Sequence, residues 1–321
     1  MTQPKVVMTH KIPDAGLKKL EETFHVVILD ETKPMREQLL KHIVDTEFLV
    51  PLLSLKIDAE ILDKANQLKL IANYAVGYDN IDLEAARERK ILVSNTPDVL
   101  TNATADLTWA LMLAVSRRIP EADKLCRSNA DWKWSPEFHL GTEITATTLG
   151  VVGMGRIGSA VAKRAIGFDM TVIYNSRSMN RAIEKQYEFC YMPLNDLLQD
   201  ADFVSLHVPY TSETHHLIGE EELELMKPSA FLINTARGKV VDEKALIKAL
   251  QEGKIAGAGL DVYYDEPYIP KALKNLPNVV LTPHIGSATY RARDAMATIV
   301  ADNILAVHAE ESPPNLIPEL Q

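Results

Sequence analysis

Cysteine is almost missing from this chain: its 321 residues carry two, Cys126 and Cys190. Their separation matches no metal-ligand spacing and offers no disulfide framework, so no metal is expected. We read them as reduced thiols packed in the core of a cytoplasmic protein. Long apolar runs are missing too. None approaches ~18 residues, so no membrane span and no membrane partner is expected. The opening Met1-Thr2-Gln3-Pro4-Lys5-Val6-Val7-Met8 passes straight into strand-like sequence and does not have the form of a signal peptide. Positive charge is in short supply: 34 Lys and Arg face 44 Asp and Glu, a formal balance of −10. That argues against a nucleic-acid partner, whose phosphates call for a basic face. Short-period repeats and low-complexity segments are absent. What is left, 46% hydrophobic and 24% charged, is the composition of a soluble globular protein long enough for two ordinary domains.

The first hundred residues alternate apolar runs with amphipathic stretches. Strands are predicted at Val6–Thr9, Val26–Leu29, Phe48–Leu53, Leu70–Tyr74 and Ile91–Ser94, with helices such as Asp14–Thr23 and Asp58–Asn66 between them. Such alternation implies a parallel sheet with helices on its faces, and five strands fit a flavodoxin-like domain. A long helix starts at Thr101-Asn102, either of which suits an N-cap, and stops at Arg117-Arg118 before Pro120. Residues 121–147 are less regular and hold Trp132 and Trp134. From Thr148 the strand–helix rhythm resumes and runs to about residue 286, a doubly wound Rossmann unit. A last helix follows, from Ser287 to about Ala309. We expect an α/β protein of two domains with parallel sheets: a substrate domain of residues 1–101 that takes back 287–321, and a dinucleotide-binding domain of 102–286.

The second domain carries Gly153-Met154-Gly155-Arg156-Ile157-Gly158. A lone G-x-G-x-x-G is a weak signal. Here it follows the apolar strand Leu149–Val152 and opens a helix with Ile157, Val161 and Ala165 on one face. Gly153 permits the tight turn, Gly155 lets the backbone approach a pyrophosphate, and Gly158 lets helix and strand pack closely. About 20 residues on, an Asp or Glu would normally hold a ribose 2′-hydroxyl. The strand Thr171–Tyr174 leads instead into Asn175-Ser176-Arg177-Ser178. No carboxylate repels a 2′-phosphate and a guanidinium stands ready to pair with one, so NADP(H) is favoured over NAD(H).

Three further clusters each close a short apolar run: Asn234-Thr235-Ala236-Arg237-Gly238, Asp265-Glu266-Pro267 and Thr282-Pro283-His284-Ile285-Gly286. Any one of these charged residues alone would be an ordinary structural or surface group. Together they bring an Arg, a Glu and a His to the carboxyl edge of one parallel sheet, where open α/β sheets bind ligands. A 2-oxo acid needs a cation for its carboxylate, and its carbonyl oxygen needs a proton donor as hydride arrives. Arg237 suits the first need and His284 the second, with a carboxylate such as Glu266 to orient the imidazole.

With these clusters, the stretches Val76-Gly77-Tyr78-Asp79-Asn80-Ile81-Asp82, Asn95-Thr96-Pro97, His207-Val208-Pro209 and Gly259-Leu260-Asp261-Val262 make the chain resemble, over essentially its whole length, the D-isomer-specific 2-hydroxyacid dehydrogenases. Leu52-Leu53-Ser54, Val76–Asn80 and Asn175-Ser176-Arg177 are most similar to the glyoxylate/hydroxypyruvate reductase branch. The resemblance implies that Arg237 binds the carboxylate and carbonyl of a small 2-oxo acid, His284 donates the proton, and Glu266 pairs with His284. It implies that the backbone of Val76 and Gly77 holds the carboxylate, with Leu53 near the substrate. Thr104 and Asp261 are then expected near the nicotinamide and Val208-Pro209 near the adenine. Arg156, Ile157, His207, Thr235, Ala236 and Gly286 complete the implied cofactor contacts. Trp132-Lys133-Trp134-Ser135-Pro136 resembles a region where related reductases lend an aromatic to a neighbouring subunit, which with the length of 121–147 implies a homodimer. Two alternatives stand beside the reductase reading: a sibling enzyme for another acid, such as 2-ketogluconate or D-lactate, and a nucleotide-sensing corepressor of the same fold. His215-His216, in a polar stretch, is read as a solvated loop rather than a metal site.

Overall fold

The computed structural model describes residues 3–320. The chain divides into two compact units, one made of the residues up to Leu100 together with those from Ser287 onward, the other of Thr101–Gly286. Each is a parallel sheet with helices between successive strands.

In the first unit β1 (Lys5–Met8), β2 (His25–Ile28), β3 (Phe48–Val50), β4 (Leu70–Ala72) and β5 (Leu92–Ser94) lie in the order β2-β1-β3-β4-β5. This is the flavodoxin-like order. β3 and β4 are buried along their whole length, because helices cover both faces; that is why they read as unbroken apolar runs. β3 ends at Val50, short of the predicted Leu53, since Pro51 has no N–H to give the ladder. The helix Tyr290–His308 packs on Asp14–Glu21. A Cβ on Gly16 would lie 2.1 Å from the Ala297 carbonyl oxygen, so only glycine lets these helices meet. Beyond it the chain runs along β5: Ile317 N–H donates to Val93 O at 3.0 Å and Leu316 bridges to Ser94. The tail thereby covers a sheet edge that would otherwise stay open to pairing.

The second unit holds β6 (Thr148–Val152), β7 (Thr171–Asn175), β8 (Cys190–Tyr191), β9 (Phe203–Leu206), β10 (Phe231–Asn234), β11 (Gly257–Leu260) and β12 (Val279–Leu281). Their order is β12-β11-β10-β9-β6-β7-β8. The chain steps outward from β6 through β8, then returns to β9 on the other side of β6, so the strand order reverses at the β6–β9 pair. Successive side chains feed opposite cores. Phe231 and Ile233 join Leu111, Met112 and Val161 on one face, while Leu232 joins Leu198, Leu246 and Leu250 on the other.

Two further expectations need correction. The helix that begins at Thr101 ends at Ser116, and Pro120 does not stop it. Arg118 turns the chain with φ +54°, and Pro120 sits in the first turn of a second helix, Ile119–Arg127, where a missing N–H costs nothing. The stretch from 121 is therefore helical before it becomes irregular. Cys126 and Cys190 are not core residues; both are exposed, the first on that second helix and the second on edge strand β8. Among the described residues no helix is long and apolar enough to cross a membrane.

Candidate active site

The glycine loop, residues 175–177, His207–Pro209, Arg237, Asp261, Glu266 and His284 all lie at or after the carboxyl ends of strands of the second unit. The loop after β6 is the glycine loop. Gly153 has φ +101°, and a Cβ there would meet the His207 carbonyl carbon at 2.7 Å. A Cβ on Gly158 would fall 2.0 Å from the Gly153 oxygen. Gly155 is different: nothing lies within 4 Å of where its Cβ would be. It is also the N-cap of the helix Arg156–Ala165, whose first N–H groups have no partner within the helix. Closed on two sides and open at Gly155, this turn fits a dinucleotide's pyrophosphate, which needs close backbone approach and a helix start.

After β7, the Asn175 amide donates to Met192 O at 2.9 Å and the Ser176 hydroxyl to Ser178 O at 2.5 Å. Arg177 is exposed. The Glu213 carboxyl, in the turn after β9, is held below its ordinary range, chiefly by hydrogen bonds from the Thr211 hydroxyl, its own N–H and the Ser212 hydroxyl, with a contribution from the charge of Arg177. Also after β9, the His207–Val208 backbone rests against Gly153. The His207 imidazole turns back along its strand to the Ser205 hydroxyl at 2.8 Å, and burial pushes its pKa down to about 3. It is uncharged near neutrality and offers no cation to a phosphate. His215 and His216 stack on each other at 4.0 Å, with His216 Nδ1 3.8 Å from Asp242.

The loops after β10, β11 and β12 bring the Arg, Glu and His together. His284 Nδ1 and Glu266 Oε2 are 2.7 Å apart, both side chains about one-third exposed. The other carboxylate oxygen, Oε1, accepts the Tyr263 N–H at 3.1 Å. Burial raises the pKa of Glu266, but the hydrogen bond and charge of His284, the Tyr263 N–H and the charge of Arg237 outweigh it, so the carboxyl ends below its ordinary range. Its share of stability is therefore full above the ordinary glutamate range and is lost as pH falls through the lowered value. Arg237 Nη1 donates to Ala236 O at 2.8 Å, and the Asn234 amide fixes the turn by donating to Arg237 O at 2.9 Å. Gly238 must be glycine: a Cβ there would sit 1.9 Å from Tyr263 O, so the loops bearing Arg237 and Glu266 touch backbone to backbone.

His284 adopts φ +53°, a left-handed conformation that costs a non-glycine residue on the order of 1–3 kcal/mol. Asp261 holds it there. Its backbone oxygen accepts His284 N–H at 2.9 Å, and its carboxylate accepts Ile285 N–H and Gly286 N–H at 2.8 Å each and the Thr282 hydroxyl at 2.6 Å. Burial raises the pKa of this carboxyl, partly offset by those same donors. The Tyr263 hydroxyl donates to Thr282 O at 2.8 Å from the same side. Thr104 donates to Gly286 O at 3.2 Å, and Thr108 meets the Thr235 hydroxyl at 2.9 Å, tying the helix Thr101–Ser116 to both loops. Tyr263, Thr282 and Thr108 were missed from sequence. Thr282 lies inside the quoted Thr-Pro-His run, but nothing local marks the other two. Leu53, Val76 and Gly77 belong to the first unit, at the carboxyl ends of β3 and β4.

Comparison with known proteins identifies the family. Residues 109–286 match the family model described as D-isomer specific 2-hydroxyacid dehydrogenase, NAD binding domain. Over 321 residues the chain is 54% identical to a glyoxylate reductase of Thermococcus onnurineus, covering 98% of this chain and 96% of that protein. It is 53% identical to a glyoxylate reductase of Pyrococcus furiosus, with 98% and 95% covered. Its fold superposes with a TM-score of 0.88 on an NADPH-dependent glyoxylate/hydroxypyruvate reductase from Sinorhizobium meliloti, solved with NADP and malonate, at 33% identity and covering 99% and 98% of the two chains. With matches over nearly its full length, the chain belongs to the D-isomer-specific 2-hydroxyacid dehydrogenase family and is an oxidoreductase acting between 2-oxo and 2-hydroxy acids.

Proposed function

We propose that this enzyme reduces glyoxylate and hydroxypyruvate to the corresponding 2-hydroxy acids, the D isomer where the product is chiral, with NADPH preferred to NADH. The observation that carries the chemistry is the His284–Glu266 pair. With Nδ1 held by the carboxylate at 2.7 Å, Nε2 has no partner among the described residues and is the nitrogen left to face a substrate. Bound at the glycine loop, a nicotinamide cofactor supplies the hydride. His284 gives its Nε2 proton to the carbonyl oxygen as that oxygen becomes an alkoxide, and Glu266 stabilises the imidazolium beforehand and fixes the neutral tautomer afterwards. The pair's partial exposure lets solvent return the proton. Arg237 binds the carboxylate and polarises the carbonyl, while N–H groups of the Val76–Gly77 loop take the carboxylate and Leu53 limits what fits beside it. Thr104, Asp261, Thr235, Ala236 and Gly286 border the nicotinamide end; Arg156, Ile157 and His207–Pro209 the phosphates and adenine. The names of the archaeal relatives and the malonate-bound Sinorhizobium reductase support a small oxo-acid substrate.

The NADPH preference rests on residues 175–177. No carboxylate stands there, and the exposed Arg177 is close enough to Glu213 for its charge to be felt. A charge-assisted pair between Arg177 and a 2′-phosphate is worth about 1.5–3 kcal/mol, roughly ten- to a hundredfold in affinity. Steady-state rates with a panel of 2-oxo acids, run with NADPH and NADH in parallel, test both claims. Glyoxylate and hydroxypyruvate should lead the panel, NADPH should win in kcat/KM, and Arg177→Ala should erode that margin. Equal or better kcat/KM with NADH in the native enzyme would refute the cofactor assignment.

The working form is a homodimer. Ile119, Trp132, Trp134 and Leu140 are all more than half exposed, Trp134 by 78%, and Trp132 stacks on Phe138 at 5.8 Å. So much apolar surface on one segment fits burial against a second copy. Sedimentation at micromolar concentration should give a dimer mass; a monomer mass would defeat the proposal. The two free, exposed cysteines fit a reducing compartment such as the cytoplasm.

A further inference from the structure

The turn after β4 is held in an unusual way. Its carbonyls are bound by side chains rather than by a ladder: the Asn95 amide donates to Val76 O at 2.8 Å, and the Asn73 amide donates to Gly77 O at 2.7 Å. In a trans peptide the carbonyl and the next N–H lie in one plane and point in opposite directions. Pulling Val76 O toward Asn95 therefore turns Gly77 N–H away, and pulling Gly77 O toward Asn73 turns Tyr78 N–H away. Neither N–H has an acceptor among the described residues. Two successive N–H groups are thus left for an outside acceptor, the kind of backbone donors that bind anions.

Asn73 shows that this orientation is not incidental. It is 0% exposed, and its Oδ1 finds no partner. An amide buried with half its hydrogen-bonding capacity unmet is costly, and an apolar residue would pack there without that cost. What Asn73 does that an apolar residue cannot is hold the Gly77 carbonyl. Asn95 sits on the neighbouring strand end, just after β5, its own N–H accepted by Asn315 O at 3.3 Å. The two amides thus grip one turn from two directions.

We propose that Asn73 and Asn95 are positioning residues for the substrate carboxylate: they set the Val76–Gly77 and Gly77–Tyr78 peptide planes so that the N–H groups of Gly77 and Tyr78 receive it. This rests on the reading of the enzyme as a 2-oxo acid reductase and adds Tyr78 N–H to the groups that bind its substrate. Because the loop touches the carboxylate and not the reacting carbon, its loss should appear in binding rather than in turnover.

Asn95 is only partly buried and is the safer position to change. In the full-length enzyme, Asn95→Ala should raise KM for glyoxylate about tenfold and raise by the same factor the Kd for oxalate measured calorimetrically with NADP+ present. Its kcat and its KM for NADPH should stay within about twofold of wild type. Asn95→Asp should be worse at pH 8, where an ionised carboxylate accepts but cannot donate and adds negative charge beside those N–H groups. Its KM relative to wild type at the same pH should recover toward pH 5, as the protonated acid regains a donor. A merely structural role would not produce that recovery. An unchanged KM and Kd in Asn95→Ala, or losses spread equally over kcat and the cofactor KM, would overturn the proposal while leaving the reductase reading in place. A wild-type enzyme that neither reduces glyoxylate nor binds oxalate would overturn both.

Discussion

Replacing His284 with alanine is expected to cut the turnover of glyoxylate reduction by about 10²–10⁴-fold, the usual scale for removing a positioned general acid. The geometry makes the loss specific. Glu266 holds Nδ1 at 2.7 Å, so only Nε2 can serve the substrate, and no other imidazole described in the second unit has this setting. His207 is neutral and turned to Ser205, and His215 and His216 stack on each other. None of them can substitute. NADPH binding, followed by fluorescence, should be nearly unchanged, because the glycine loop after β6 is a separate part of the sheet edge. Near-normal turnover in the variant would end this mechanism.

Replacing Arg237 with alanine is expected to lower kcat/KM by about a hundredfold or more, with KM rising and kcat falling together. A guanidinium binds a carboxylate in both ground and transition states, and a carbonyl oxygen gathering charge draws further on the same cation. Arg237 also contributes to keeping Glu266 ionised, so its loss weakens the support of His284 as well. Lysine should recover little, since it cannot reproduce the planar fork that meets two oxygens at once. Steady-state rates for the two variants give the answer: a lysine variant close to wild type would show that Arg237 acts only as a point charge and that the paired geometry is wrong.

The fold class was legible because parallel sheets covered on both faces write themselves as short apolar runs, such as Phe231–Asn234 and Phe48–Val50. The glycine loop was legible because each glycine answers a separate demand of one turn. The scaffold around His284 was not. Asp261 meets Thr282, Ile285 and Gly286 from more than 20 residues away, and Tyr263 reaches Thr282 by its hydroxyl. Asp261 stood in a quoted motif but was expected at the nicotinamide rather than under the His284 turn, and Tyr263 has no local pattern to announce it. Asn95 stood inside a quoted motif, yet its partner Val76 O lies on another loop. The cysteines were misread for a related reason. A small apolar side chain defaults to the core, but Cys190 lies on an edge strand and Cys126 on a helix with no buried residue. Pro120 was misread because proline marks a helix start as readily as a stop, and only the turn at Arg118 tells the two apart.

Gly16 against Ala297 and Leu316 beside Ser94 tie the beginning of the chain to its end, and this sets an order on biogenesis. β1 and β2 leave the ribosome well before the packing helix and the edge cover that complete their sheet. Thr101–Gly286 is continuous and can close as soon as it has been made. The part synthesised first is thus the part completed last. Until residues 290–317 have been made, Leu17 and Leu20 lack the helix packed on theirs and β5 keeps a bare edge. For this enzyme the nascent chain, more than the finished protein, is where aggregation competes with folding and where a holding chaperone has surface to grasp.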